Sequence, residues 1–282
     1  MCAIIKTYYL KRRGWRKVKI CVCIKQVPAS NKIETDEKTG VLKRAGTESK
    51  MNPYDLFAIE TALRLKEKFG KDNCKVTAVT MGPMQAKSVI REAFMMGVDE
   101  GYLLSDRAFA GADVLATSYT LSQGMKKIGG FDLYICGKQT TDGDTAQVGP
   151  ELSEHLNIPH ASWVRSIDNA DERGIEVTVE LAEVTQKIRM NYPCLITTEK
   201  DIFQPRLPSY RRKLATEDRE VRVLTLSDMP DNNEDHYGMS GSPTKVEKIY
   251  TPKDDKSRVV IEGDSDHAAG EITKALYARK FI

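Results

Sequence analysis

The sequence predicts an α/β protein: a doubly wound parallel sheet with flanking helices, followed by an extended C-terminal arm and a terminal helix. Three observations carry this. Apolar strand-like runs alternate with helix-periodic stretches through the first half of the chain. Cap residues and glycines fall where one element should hand over to the next. The 282 residues, 40% hydrophobic and 29% charged, have the balance of a chain with a sizeable core.

The elements follow in order. Lys19–Lys25 is a short apolar strand, and Lys38-Thr39-Gly40 marks a turn after it. Asn52-Pro53 opens a helix that Gly70 ends: Asn suits an N-cap and Pro the first helical position. Leu56, Ile59, Ala62 and Leu63 supply its buried stripe. Cys74–Met81 is the second strand, Gly82-Pro83 turns the chain, and helix 84–96 closes at Gly97. Gly101–Leu104 is the third strand. Asp113–Lys127 is a helix stopped by Gly129-Gly130, Phe131–Cys136 the fourth strand, and Gln147–Leu156 a further helix.

After Pro159 the pattern changes. Ile175–Leu181 and Val184–Met190 alternate as an antiparallel pair, and Cys194–Thr198 returns to the parallel sheet. From Phe203 to Asp254 the chain is polar and aperiodic, with five prolines, and reads as an arm. His267–Ile282 is an amphipathic helix, apolar at 268, 272, 275, 276 and 282, which needs either the body of the chain or a partner to pack on. The expected division is a basic extension over 1–17, an α/β nucleotide-binding domain over 18–202, and arm plus helix over 203–282.

The formal net charge of +3 is misleading, because residues 1–17 carry six basic residues and no acid. The remainder, with 37 basic against 40 acidic residues, gives a nucleic-acid partner no electrostatic support. In residues 1–17 the charges follow the apolar stretch, the reverse of a secretory signal. The expectation is a start assigned too early, with Val18 the true initiator; a polybasic surface patch is the alternative. No run approaches a membrane span. Six cysteines at 2, 21, 23, 74, 136 and 194 form no C-x-x-C pair, which points to reduced thiols in a cytoplasmic protein.

Chemistry concentrates in Ile135–Pro150, ICGKQTTDGDTAQVGP, where a strand end passes through a Gly, Thr and Asp loop into a helix start. Ligands of open parallel sheets sit beyond the carboxyl ends of the strands, and free amides at a helix start suit phosphate. Gly143 permits close backbone approach, and Thr145 and Gln147 add neutral donors. Asp142 and Asp144 repel phosphate if aimed at it and suit ribose hydroxyls, turn hydrogen bonds or a helix cap. The strand ends Cys23–Gln26 and Thr80–Gly82, with the helix start Asn52–Asp55, converge on the same crevice. An ordinary strand–helix loop is the competing reading.

The usual signatures of dinucleotide and P-loop folds, metalloproteases and serine hydrolases are missing. The four histidines read as surface or capping residues, and Glu180 and Glu183 as the solvated face of a ribbon. The pattern points to nucleotide binding without acid–base or nucleophilic machinery, so that any hard chemistry belongs to a cofactor. A nucleotide-sensing module of the adenine-binding α/β type, a binding protein without chemistry of its own, is the alternative.

Five blocks carry a family resemblance: CIKQVP at 23–28, MNPYDLFAIETALRLKE at 51–67, TMGPMQA at 80–86, REAFMMGVDEGYLLSD at 91–106 and CGKQTTDGDTAQVGPELSEHL at 136–156. Together they closely resemble the beta subunit of electron transfer flavoprotein, over residues 18–282. The resemblance implies an adenine nucleotide alpha hydrolase-like fold and a heterodimer with an alpha subunit, reached by the C-terminal arm. Ordinary members hold AMP in the beta chain. Electron-bifurcating members hold FAD there, which takes hydride from NADH and sends one electron to ferredoxin or flavodoxin and one to the alpha-chain FAD. The latter serves a dehydrogenase of acyl-CoA, enoyl-CoA or hydroxy-acid type.

The loop DGDTAQVGP resembles the bifurcating group, and Gly143 and Ala146 leave room for a flavin. By position, the resemblance implies cofactor contacts at Cys23, at Asn52, Pro53, Tyr54 and Asp55, at Met81 and Gly82, at Thr140, and from Asp142 through Gly143, Asp144, Thr145, Ala146, Gln147, Val148 and Gly149 to Pro150. Thr145, Gln147, Val148 and Gly149 are the expected phosphate contacts. TEKDIFQPR at 198–206 sits where the family docks dehydrogenases, with Ile202 either an exposed anchor or packed under the arm.

Overall fold

The computed structural model describes residues 17–29, 48–245, 247 and 258–282. The basic N-terminal segment apart from Lys17, the turn at 38–40, Cys2 and part of the arm therefore lie outside the described residues.

The apolar runs become strands because each residue of a central parallel strand is covered by helices on one face or the other. β1 (Val18–Cys23), β4 (Cys74–Met81), β5 (Glu100–Leu104), β6 (Leu133–Gly137) and β10 (Cys194–Thr198) are nearly all buried. β2 (Gln26–Pro28) and β3 (Ser49–Met51) form a separate antiparallel ribbon. The nine-stranded sheet has the order β11-β5-β4-β1-β6-β10-β7-β8-β9, with β7 (His160–Ala170), β8 (Gly174–Glu180), β9 (Thr185–Asn191) and β11 (Arg222–Leu224) completing it. Pairing is parallel from β11 to β7; β7, β8 and β9 then run as an antiparallel meander.

α1 (Pro53–Phe69) and α2 (Lys87–Met96) cover one face, where Ile59, Ile90 and Phe94 pack on Ile20, Val22 and Ile135. α3 (Val114–Ile128) and α4 (Val148–Leu156) cover the other, where Leu121, Met125 and Leu152 meet Cys21, Cys23 and Cys136. Cys21 and Cys23 share that face because strand side chains repeat every two residues. Asp113 caps α3, its carboxylate accepting from the Ala116 amide at 3.1 Å. A 3-10 turn, Met84–Ala86, precedes α2.

Two expectations change. Residues 160–170 carry no strand pattern in sequence, yet β7 is the longest strand of the sheet. Register shifts against both neighbours break its alternation, so period two is lost on the page although the strand is present. The arm also hugs the body over 203–245. α5 (Tyr210–Ala215) packs near α2, β11 extends the sheet beside β5, and Tyr237 is fully buried against α3. α6 (Ser265–Ala278) is different: none of its residues is buried, so the body of this chain does not receive its apolar side chains.

Candidate functional site

The candidate site falls at the carboxyl edge of the sheet, where the ends of β1 and β6 meet the start of α1. Asn52 has the position of an N-cap but not its function: its side chain makes no cap hydrogen bond to α1. Fully buried, it donates to the Gln139 carbonyl at 2.9 Å and accepts from the Thr141 amide at 3.2 Å, tying the loop after β6 to the helix start. It also donates to Asp55 at 2.9 Å, and Asp55 accepts from the Lys25 amide at 2.7 Å. Burial pushes the Asp55 carboxyl up to about 7, against these two hydrogen bonds.

The loop over 138–147 is ordered by its own polar groups. Asp142 forms a 2.8 Å ion pair with Lys25. Burial works against the Asp142 charge, but Lys25 outweighs it and holds the carboxyl below its usual range. Asp144 accepts from Gln139 Nε2, and its amide donates to the Thr140 carbonyl at 2.9 Å. Asp144 is thus engaged within the loop, whereas Asp142 ties the loop to the end of β1. Asp144 and Ala146 have left-handed backbones, φ 54° and 56°. A Cβ on Gly143 would meet only Thr140 Oγ1, at 3.4 Å, so its outer side is open.

α4 starts at Val148 with Gln147 at the N-cap position and no side-chain cap. Pro150, third in the helix, loses no intrahelical bond there because first-turn amides have no partner in the helix. Gly149 is demanded by packing: a Cβ would stand 2.4 Å from Thr197 Cγ2 of β10. The first turn of α4 therefore lies flush against the sheet end.

The remaining candidates divide. Pro53 and Tyr54 are half-buried in the α1 start beside the crevice, and Met81 and Gly82 close β4, the Gly82 amide donating to the Leu104 carbonyl at 3.0 Å. Thr145 is exposed on the loop. Cys23 lies beneath the crevice floor. A hydrogen bond with Cys136 favours its thiolate, but Cys21, burial and Asp55 outweigh it and keep the thiol well above its usual pKa. Ile202 is 9% exposed and packs into the core, so it does not project as an anchor in this structure. Lys25, Gln139 and Lys138 carry contacts at this rim that no sequence motif marks individually. Lys25 stands inside the CIKQVP block, and its distance of 117 residues from Asp142 hid the pairing.

Comparison with known proteins decides the family. The electron transfer flavoprotein domain model matches residues 39–229. The chain is 41% identical over 265 residues to the electron transfer flavoprotein subunit beta of Thermoanaerobacterium thermosaccharolyticum, covering 93% of this chain and 99% of that one. It belongs to the electron transfer flavoprotein family, as a beta subunit. It is also 36% identical to subunit CarD of the caffeyl-CoA reductase-Etf complex of Acetobacterium woodii, over 94% of this chain and 100% of that one. The electron transfer subunit gamma of the acryloyl-CoA reductase of Anaerotignum propionicum is 35% identical, over 94% and 100% respectively.

The donor set of this beta subunit suits a diphosphate. The first turn of α4 has no side-chain cap, Thr145 is exposed, Gly143 has open space beside it, and Asp142 is paired with Lys25. At the adjoining end of β4 the Thr80 hydroxyl is buried with no hydrogen-bond partner among the described residues.

Proposed function

We propose that this beta subunit binds FAD in the crevice and works, with an alpha subunit, as an NADH-oxidising, electron-bifurcating carrier. The observation that carries the reading is the loop DGDTAQVGP, held open at Gly143 and delivered by Asn52 and Lys25 to the start of α4. The site residues are those named from the sequence. The amides of Val148 and Gly149 and the Thr145 hydroxyl hold the diphosphate. Asn52 and Asp55 fix the α1 start against the loop and the end of β1, with Cys23 buried beneath and Met81 at the end of β4.

A flavin held there supplies hydride acceptance from NADH and delivery of single electrons to ferredoxin or flavodoxin and to the FAD of the alpha subunit. The chain itself binds, orients and excludes water; no side chain has to act as acid or base. Residues 203–282 reach the alpha subunit, and the uncovered apolar side of α6 supports that division of the chain. A CoA-linked dehydrogenase as electron acceptor is supported by the CoA reductase complexes to which two of the relatives belong. The five cysteines among the described residues are free and buried, as suits a reducing cytoplasm. Among the described residues no helix is long and apolar enough to cross a membrane.

The test is the nucleotide content of the heterodimer co-purified with its alpha subunit. Two FAD per heterodimer is the expected result; one FAD and one AMP assigns the crevice to AMP instead. In Gly143→Trp the indole occupies open space, so the fold persists while the crevice nucleotide and NADH-dependent ferredoxin reduction are lost. Survival of that activity in the variant overturns the placement of the site.

A further inference from the structure

Trp163 sits in a backbone conformation that its residue type disfavours. Its φ is +60°, the left-handed region where a bulky side chain is a true outlier. The cause is the β7–β10 register. Ala161 pairs with Ile196 and Val164 with Thr198, so Ser162 and Trp163 together face Thr197 alone. The bulge leaves the Ser162 hydroxyl buried without a partner among the described residues, and the Trp163 amide donates to Thr197 Oγ1 at 2.9 Å. Core packing does not account for the cost, because the indole is 40% exposed. Bulges of this kind re-aim a side chain, and strained residues cluster at ligand clamps.

The side chain is aimed at the carboxyl rim of the sheet. Lys138, the first residue after β6, places its ammonium 5.0 Å from the indole centroid and pairs with Glu199 at 2.8 Å. Thr197, which holds the Trp163 amide, is the residue against which Gly149 of α4 is packed. The indole therefore stands at the same rim of the sheet as Lys25, Asn52 and Asp55, with the α4 start between them. Three strand steps separate β1 from β7, about 14 Å at the usual spacing. A dinucleotide spans that width from end to end, whereas a mononucleotide fills only part of it.

We propose that Trp163 is a stacking wall for the second, planar heteroaromatic ring of a dinucleotide bound in the crevice, a specificity residue that favours FAD over AMP. This rests on the FAD reading above. Lys138 holds the indole from one face, and the ring is received on the exposed remainder.

The experiment is calorimetric titration of the nucleotide-free full-length chain with FAD and, separately, with AMP. Trp163→Asn is the truncation of choice, because Asn tolerates the left-handed backbone. It is expected to weaken FAD roughly ten-fold, the size of one lost base–aromatic stack, and to leave AMP unchanged. Trp163→Phe restores FAD to within about two-fold, since the stacking face is kept. Unchanged AMP binding also establishes that each variant is folded. Equal FAD affinity in the parent and Trp163→Asn overturns the inference, as does an equal loss for FAD and AMP. So does a variant that binds FAD normally but no longer assembles with the alpha subunit, which would make the indole a subunit contact. A parent chain that binds neither nucleotide removes the FAD reading itself, and this inference with it.

Discussion

Lys25 and Asp142, 117 residues apart, meet in a 2.8 Å ion pair across the mouth of the crevice. The pair is partly exposed, so its contribution to folding is small. Its effect on an anionic ligand is larger. Lys25→Ala both removes a cation and unmasks Asp142, and is expected to weaken nucleotide binding by about ten-fold at low salt. Asp142→Asn frees Lys25 for the phosphates and tightens binding. Titrations at two ionic strengths check both, because the difference between the variants shrinks as salt screens it.

Gly149→Ala tests the flush seating of α4. The new methyl would stand 2.4 Å from Thr197 Cγ2, on a residue 1% exposed in a buried strand, so helix or strand must shift. The expected loss is about 1–3 kcal/mol in denaturant unfolding. Gly143→Ala, on the open side of the loop, is expected to leave stability within about 0.5 kcal/mol of the parent.

Arg206 ties the arm to α1. Its backbone amide and guanidinium both donate to Glu60, at 3.2 and 2.7 Å, and Arg64 donates to the same carboxylate at 2.9 Å. Burial pushes Glu60 up, but these bonds outweigh it and hold the carboxyl below its usual value. Arg206→Ala leaves a buried carboxylate with Arg64 as its remaining guanidinium partner. The expected cost near neutral pH is about 2 kcal/mol, less than for a fully stripped buried charge. The stabilisation is present above the unfolded value of 4.5 and is lost as pH falls through the lower folded value. Unfolding curves of parent and variant therefore converge in acid.

Asp55 has the opposite sign. Its carboxyl is raised from 3.8 to about 7 by burial, so the folded state holds a proton that the unfolded chain releases. Its contribution is fully present below the unfolded value and is lost as pH rises toward 7. The parent should lose stability relative to Asp55→Asn between pH 4 and 7, by at most about 4 kcal/mol. Parallel denaturant titrations of the two proteins across that range measure the difference directly.

Much of the architecture is legible before folding because it is written in local terms. Asn52-Pro53, Asp113, Gly97 and Gly129 stand at helix ends, and five parallel-sheet strands follow from apolar runs bounded by turns. The ribbon Ile175–Met190 follows from alternation. β7 is not legible, since its bulges scramble the period of two, and β11 is too short to show one. The exposed and packed readings of Ile202 could not be separated by its neighbours in sequence; burial in the core separates them.

The sequence by itself determined the α/β class and the order of most elements, and it singled out the stretch from Asp142 to Pro150 as a strand-to-helix loop. Periodicity and cap chemistry act over a few residues, and a single chain displays them directly. Only the tertiary structure decided that Asn52 clasps the loop rather than capping its helix, that Lys25 neutralises Asp142, that the arm closes on Glu60, and that Trp163 is turned outward at the rim. Each of these joins residues far apart in the chain, and such a pairing exists only when the sheet has set the register that brings them together.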